Sequence, residues 1–188
     1  MGDSGIANVE GLLQRWHDGD PVALERLLPL VYADLRHIAS RLLHAMPGHA
    51  TLQTTALVHE VWLRLLGREP AEYDSSAHFL NASALIMRQV LVNRARRSAA
   101  EKRGGHWRRA DFADVMDLPI PDGTDLLVLD EALTDLASAN PRMAQVVQLR
   151  YFVGLEVNEV ALALEISERT AQRDWGSARA WLRERLAT

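Results

Sequence analysis

The side chains best suited to reading a base pair follow Ser167. Glu168, Arg169, Gln172 and Arg173 share the N-terminal, outward side of a helix if this segment is helical. Arginine can grip guanine with two hydrogen bonds, and glutamine can do the same with adenine. Arg179 and Arg183 come further along, where phosphate contact is the better fit. The segment before them supports this arrangement. Val157, Val160, Ala161 and Leu164 give one short helix, and Glu165-Ile166-Ser167 gives a tight turn. Small Ala161 allows close approach, and Ile166 fills the space between the helices. The pattern is a helix-turn-helix. An ordinary helical hairpin with exposed arginines is the alternative.

Catalytic chemistry finds little purchase. His59-Glu60 is not followed by a second histidine at metalloprotease spacing. His44 and His49 straddle a Pro-Gly turn with no carboxylate partner nearby. Gly104-Gly105 is too short for a phosphate loop, and no serine lies in a nucleophile elbow. The chain has no cysteine, which removes thiolate zinc sites, thiol nucleophiles and disulfides. We expect no enzyme activity, no metal and no cofactor.

The elements that must position these residues read as helices throughout. Leu24, Leu27, Leu28, Val31, Leu35, Ile38 and Leu42 recur at three and four residues, so 21–44 is expected to be a long amphipathic helix with Pro21 in its first turn. A second helix is expected over about 55–66, with Leu57, Val61 and Leu65 inward. Ser75 or Ser76 can cap a third, carrying Phe79, Ala82, Ile86 and Val90 on one face and running on through Arg97. Asp117 to Gly123 holds two prolines and a glycine and is the best linker candidate. Thr124 can cap a helix through Leu136, and Asn140-Pro141 can start another that ends near Gly154. No strand pattern of useful length appears. The expected fold is all-α, with domains at 8–106 and 124–188 joined by a linker at 107–123.

Charge is distributed unevenly along the 188 residues, whose net charge is −4. Between Arg94 and Arg109 lie seven basic residues against the single acid Glu101, whereas 110–135 holds eight acids and no Lys or Arg. The last twenty residues turn basic again. Two cationic zones around an acidic one suggest two polyanion-facing surfaces joined by something different, or simply solvated helix faces. The N-terminus shows no secretory pattern, and no apolar run approaches a membrane span. A cytoplasmic protein with no membrane partner is expected.

A family resemblance joins these features. Tyr151-Phe-Val-Gly-Leu-Glu-Val-Asn-Glu-Val-Ala, followed by Ile166-Ser167, Thr170 and Ala178-Arg179, resembles the C-terminal domain of sigma-70-type factors, which binds the minus-thirty-five promoter element. Leu57-Val-His-Glu-Val-Trp-Leu-Arg-Leu resembles the helix of that family that docks on the polymerase clamp. Phe79 through Arg97, with Ala82, Ile86, Asn93 and Arg96-Arg97, resembles the helices that melt and read the minus-ten element. Two such units in this order, with a short linker, resemble the extracytoplasmic-function (ECF) group and its ECF-like subgroup with a threonine-rich docking helix.

The resemblance implies a set of roles. Glu168, Arg169, Thr170, Gln172, Arg173 and Arg179 would face the minus-thirty-five element. His78, Phe79, Asn81, Arg88, Asn93, Arg94, Arg96, Arg97, Lys102 and Arg103 would face the minus-ten element. Phe79 has a second reading as a core residue, and Trp107 as a domain-end anchor. Glu60, Val61, Trp62 and Arg64 would meet the polymerase. The implied partners are core RNA polymerase, through its clamp helices and flap, and promoter DNA; an anti-sigma factor or a Ser/Thr kinase stands open as a regulator. The commonest docking helix begins with acidic residues, but here Thr54, Thr55 and Ala56 hold those places. Phosphorylation of Thr54 or Thr55 would restore about −2 charge there, while simple capping is the plainer role for both. A regulator that binds duplex DNA without polymerase, its N-terminal bundle serving for dimerisation or an effector, is the competing reading.

Overall fold

A computed structural model describes residues 3–44, 54–67, 73, 75–101 and 126–187. Every regular element among them is helical, as the sequence predicts. The proposed linker at 107–123, with Lys102, Arg103 and Trp107, lies outside the described residues.

The first four helices form one group. Helix α1 (Asp3–His17) buries Val9, Leu12, Leu13 and Trp16, at the three-and-four spacing of a single face. It was not anticipated from the sequence. Gly19 ends it at a φ of +90°, a left-handed value that glycine adopts without strain. Asp20 then accepts a hydrogen bond from the Val22 amide at 2.9 Å and opens α2 (Pro21–His44). The Arg15 guanidinium and the Val22 and Ala23 amides hold the Asp20 carboxyl below its usual pKa, the Val22 bond contributing most. Helix α3 (Thr54–Leu66) turns Leu57, Val58, Val61, Trp62 and Leu65 inward.

Helix α4 (Ser76–Glu101) is unlike the rest. Its buried residues include Phe79, Ser83, Ile86 and Val90 on one side but also Ala84, Val92 and Ala95 on the other. At 100° per residue these two sets point in opposite directions. A helix apolar on both sides must be covered on both sides. Helices α1 to α3 cover the first. The helices beyond residue 126 cover the second.

That second group begins with α5 (Leu126–Ala139), which buries Leu129, Ala132, Leu133 and Leu136. The Asn140 side chain accepts from the Met143 amide at 3.1 Å, and Pro141 opens α6 (Pro141–Val147), the predicted cap and first-turn pair. The sequence predicts one helix to Gly154. Instead the α-helical pattern stops at Val147, and Gln148–Val153 forms a wider π-helical turn. Its signature is the Gly154 amide bonded five residues back, to Leu149 O, at 2.9 Å. The wider turn sinks Gln148, Leu149, Tyr151, Phe152 and Val153 together, which a regular amphipathic turn would not do. Helices α7 (Val157–Ala163) and α8 (Glu168–Leu186) complete the chain. The π-turn packs on α4 and α2, and α5 packs on α4. The hydrophobic core therefore runs unbroken from Val9 to Leu182.

Candidate nucleic-acid interface

Helices α7 and α8 form the predicted helix-turn-helix. Leu164 N–H donates to Val160 O at 3.0 Å and Ile166 N–H to Ala161 O at 2.9 Å, while Glu165 takes a φ of +52°. A left-handed conformation at a residue with a Cβ costs on the order of 1 kcal/mol. Holding Glu165 there is what turns the chain sharply enough for Ile166 to tuck between the helices. Ser167 then caps α8: its Oγ accepts from the Thr170 amide at 3.1 Å and lies 2.9 Å from Thr170 Oγ1.

One face of α8 is locked down. Ala171, Asp174, Trp175, Ala178 and Leu182 are buried. Asp174, 4% exposed, accepts from Arg142 Nε at 2.6 Å and lies 3.4 Å from Arg173. That carboxylate raises the Arg142 pKa further. The Arg150 guanidinium stands over the Trp175 ring at 4.9 Å, a cation–π contact. At the far end Arg185 ties to Asp135 of α5 at 2.9 Å. A helix held at start, middle and end presents its opposite face rigidly. Glu168, Arg169, Gln172 and Arg173 are all exposed on it, while Thr170 and Arg179 are half-buried.

Helix α4 presents its predicted residues very differently. Phe79 is 0% exposed and meets the Tyr73 ring edge-on at 5.4 Å; of its two sequence readings, the structure has it as core. His78 is exposed beside the same tyrosine, at 5.5 Å. Asn81 is half-buried. Asn93 accepts from Gln89 Nε2 at 3.0 Å, and its backbone carbonyl accepts from Arg97 Nε at 3.3 Å. Arg88 and Arg96 both pair with Asp130 of α5, at 3.2 and 3.6 Å. The Arg88 and Asp130 side chains are only 16% and 12% exposed. Loss of water lowers the Arg88 pKa, and the Asp130 charge opposes that shift.

Helix α3 divides in two. Val61 and Trp62 are buried, so they hold the helix in place instead of presenting a contact. Glu60 is bonded to Arg64 on its own helix and to Arg94 of α4, each at 3.0 Å. Its charge is thus largely spent inside the molecule. The open side carries Thr55, His59 and the large apolar residues Leu63 and Leu66, and Thr54 is half-buried at the start.

Sequence reasoning missed several residues that organise these surfaces. Asp130 was noticed only as one acid in a run; its place beside Leu129 and Leu133 on an inward face was the available signal. Arg41 of α2 donates to the Tyr151 carbonyl at 2.8 Å across the two helical groups, and nothing in its local pattern marks it. Asp174 and Arg142 lie 32 residues apart. Among the described residues no cluster of His, Asp and Glu could hold a metal, and no helix is long and apolar enough to cross a membrane.

A family model described as ECF sigma factor matches residues 6–188. No curated protein matches the chain. Among solved structures, "Structure of CnrH in complex with the cytosolic domain of CnrY" aligns over 93% of this chain and 94% of that one, at 18% identity and a TM-score of 0.42, too distant a likeness to build on.

Proposed function

Because the chain belongs to the ECF sigma factor family, we propose that it binds core RNA polymerase and directs initiation at promoters that it reads at two places. Helix α8 enters the major groove at the minus-thirty-five element with Glu168, Arg169, Gln172 and Arg173, flanked by Thr170 and Arg179. Helix α4 faces the minus-ten element through His78, Asn81, Arg88, Asn93, Arg94, Arg96 and Arg97, with Lys102 and Arg103 beyond them. Residues 8–106 and 124–188 act as two units on a tether at 107–123. Helix α3 docks on the polymerase clamp helices, and the C-terminal unit on the flap. The protein works in the cytoplasm and needs no catalytic centre of its own.

The observation that carries this reading is the set of four exposed, base-competent side chains on the capped first turns of α8, backed by a face that three separate ties hold still. Rigid presentation of that kind is what groove reading requires. On α3 the exposed Leu63 and Leu66 beside Thr55 and His59 supply an apolar docking face with little free negative charge. Phosphorylation of Thr54 or Thr55 by a Ser/Thr kinase would add the missing charge; an anti-sigma factor is the other candidate regulator.

Multi-round transcription with purified core polymerase and a library of promoter templates tests the proposal. Specific transcripts that vanish with Arg173→Ala, while helical content is retained, are expected. Tight duplex binding without polymerase, together with no transcript from any template, would overturn it in favour of a polymerase-independent regulator.

A further inference from the structure

Successive residues on a helix stand about 100° apart and do not face each other. Yet Arg173 Nη2 lies 3.4 Å from Oδ1 of its neighbour Asp174. The arginine is folded round α8 toward a residue that is only 4% exposed, while its own side chain stays 68% exposed. Asp174 is fixed from the other side. Its second oxygen, Oδ2, accepts from Arg142 Nε at 2.6 Å. Arg142 belongs to the first turn of α6, where Pro141 and the Asn140 cap set the backbone. Two guanidinium groups therefore share one buried carboxylate, one on each oxygen. Arg169, the other arginine on the reading face, has no ion pair among the described residues.

We propose that Asp174 is a positioning residue for promoter reading: its carboxylate, anchored by Arg142, holds the Arg173 guanidinium in one orientation and so fixes the base pair that Arg173 can reach. This role rests on the groove reading proposed for Arg173. A buried carboxylate must have its charge met. Arg142 takes Oδ2, which leaves Oδ1 as the acceptor that draws Arg173 in. A guanidinium has five N–H donors in a rigid fork. One of them turned to Oδ1 leaves others for two parallel bonds to a guanine edge. An unheld arginine samples many rotamers and can settle on a phosphate or on a neighbouring base. Holding it removes that freedom before DNA arrives. Immobilising one such side chain in advance is worth roughly two- to tenfold in affinity, and the gain falls on the base pair that the held orientation meets.

The test uses the chain on core polymerase, with templates that carry each base pair in turn at every position of the minus-thirty-five element. Half-maximal initiation is the readout. Arg173→Ala identifies the position that Arg173 reads, as the one where the templates become equivalent; if it spares every position, Arg173 is not a reader and the role of Asp174 falls with it. Asp174→Asn is expected to cut discrimination at that same position by roughly two- to tenfold and to leave the other positions unchanged. Equal weakening at every position overturns the proposal, because a merely loosened helix would give that. Arg142→Gln changes an exposed residue and keeps the carboxylate, so it serves where Asp174→Asn does not fold. Loss at the same position is expected, and loss spread over all positions counts against the role. The swap Arg142→Asp with Asp174→Arg rebuilds an ion pair between α6 and α8 but sets a like charge beside Arg173. It is expected to recover thermal stability and not discrimination; recovery of both overturns the positioning role. Nitrogen relaxation of the arginine Nε groups in the free chain gives a readout without DNA. Asp174→Asn should raise the mobility of Arg173 and leave that of Arg169 as it is, and an unchanged Arg173 overturns the proposal. Silence from the wild-type chain on every template sinks the sigma-factor reading instead, while the relaxation of Arg173 still decides whether Asp174 holds it.

Discussion

Two helices of this molecule carry the residues proposed to face DNA, α8 on the strength of its helix-turn-helix pattern and α4 on that of a family resemblance, and they are presented in different ways. Helix α8 shows its proposed reading face to solvent and hides its supports. Helix α4 ties Arg88 to Asp130 of α5 but leaves His78, Arg96 and Arg97 exposed. The difference lies in the second side of each helix. Arg169, Gln172 and Arg173 have no apolar companions on their stripe, so nothing draws another element over them. Arg88 and Arg96 flank Val92 and Ala95, whose burial removes apolar surface from water at roughly 25 cal/mol per Å². A basic residue set among apolar ones can be drawn under cover with them, as Arg88 is.

Breaking that contrast gives a graded set of expectations. Phe79→Ala should lower the unfolding free energy by about 3–5 kcal/mol in denaturant titration, the cost of emptying a fully buried aromatic site; a loss under about 1 kcal/mol would mean that the ring is not core. Arg173→Ala should weaken the specific promoter affinity of the chain bound to core polymerase by about 1–3 kcal/mol in a fluorescence anisotropy titration and leave stability alone. Equal weakening on unrelated sequences would reduce its role to phosphate contact. Gly154→Ala places a side chain at a φ of +94° and against the Arg41 guanidinium. It should destabilise by about 1–2 kcal/mol, and because it strains the contact between the two helical groups it should loosen α4 more than α8 in hydrogen exchange. The smallest effect is Ser167→Ala, which removes the α8 cap for about 1 kcal/mol. It should fray the first turn and so blur the base-reading residues before it touches α4.

Much of the fold was legible because helix signals are local. The start and end of α2, the Asn140-Pro141 cap, the Ser167 cap and the Glu165 turn all follow from residues within one turn of the feature they set. Helix α1 was missed because its apolar residues, Val9 to Trp16, are few and follow a short polar lead. The π-turn was missed because Gln148–Val153 reads locally as more α-helix; its wider winding answers to α2 and α4, far off in sequence. The exposed side of α8, with Glu168, Arg169, Gln172 and Arg173, was legible for the same local reason. The state of α4 was not. Its cover comes from Asp130 and Leu149, so the sequence can say that Arg88 is cationic but not that its charge is already met.

The two-sided character of α4 also bears on how the chain is made. The N-terminal half leaves the ribosome first, carrying Ala84, Val92 and Ala95, buried in the full chain, on the side of α4 away from Phe79. Until synthesis passes residue 153, α5 and the π-turn that pack on α4 are not both in place. A fragment ending before α5 would lack the two elements that pack on α4 from the C-terminal half and should be less stable than the full chain. Fusions that isolate the first bundle therefore need a replacement cover on that side of α4, or polar substitutions along it.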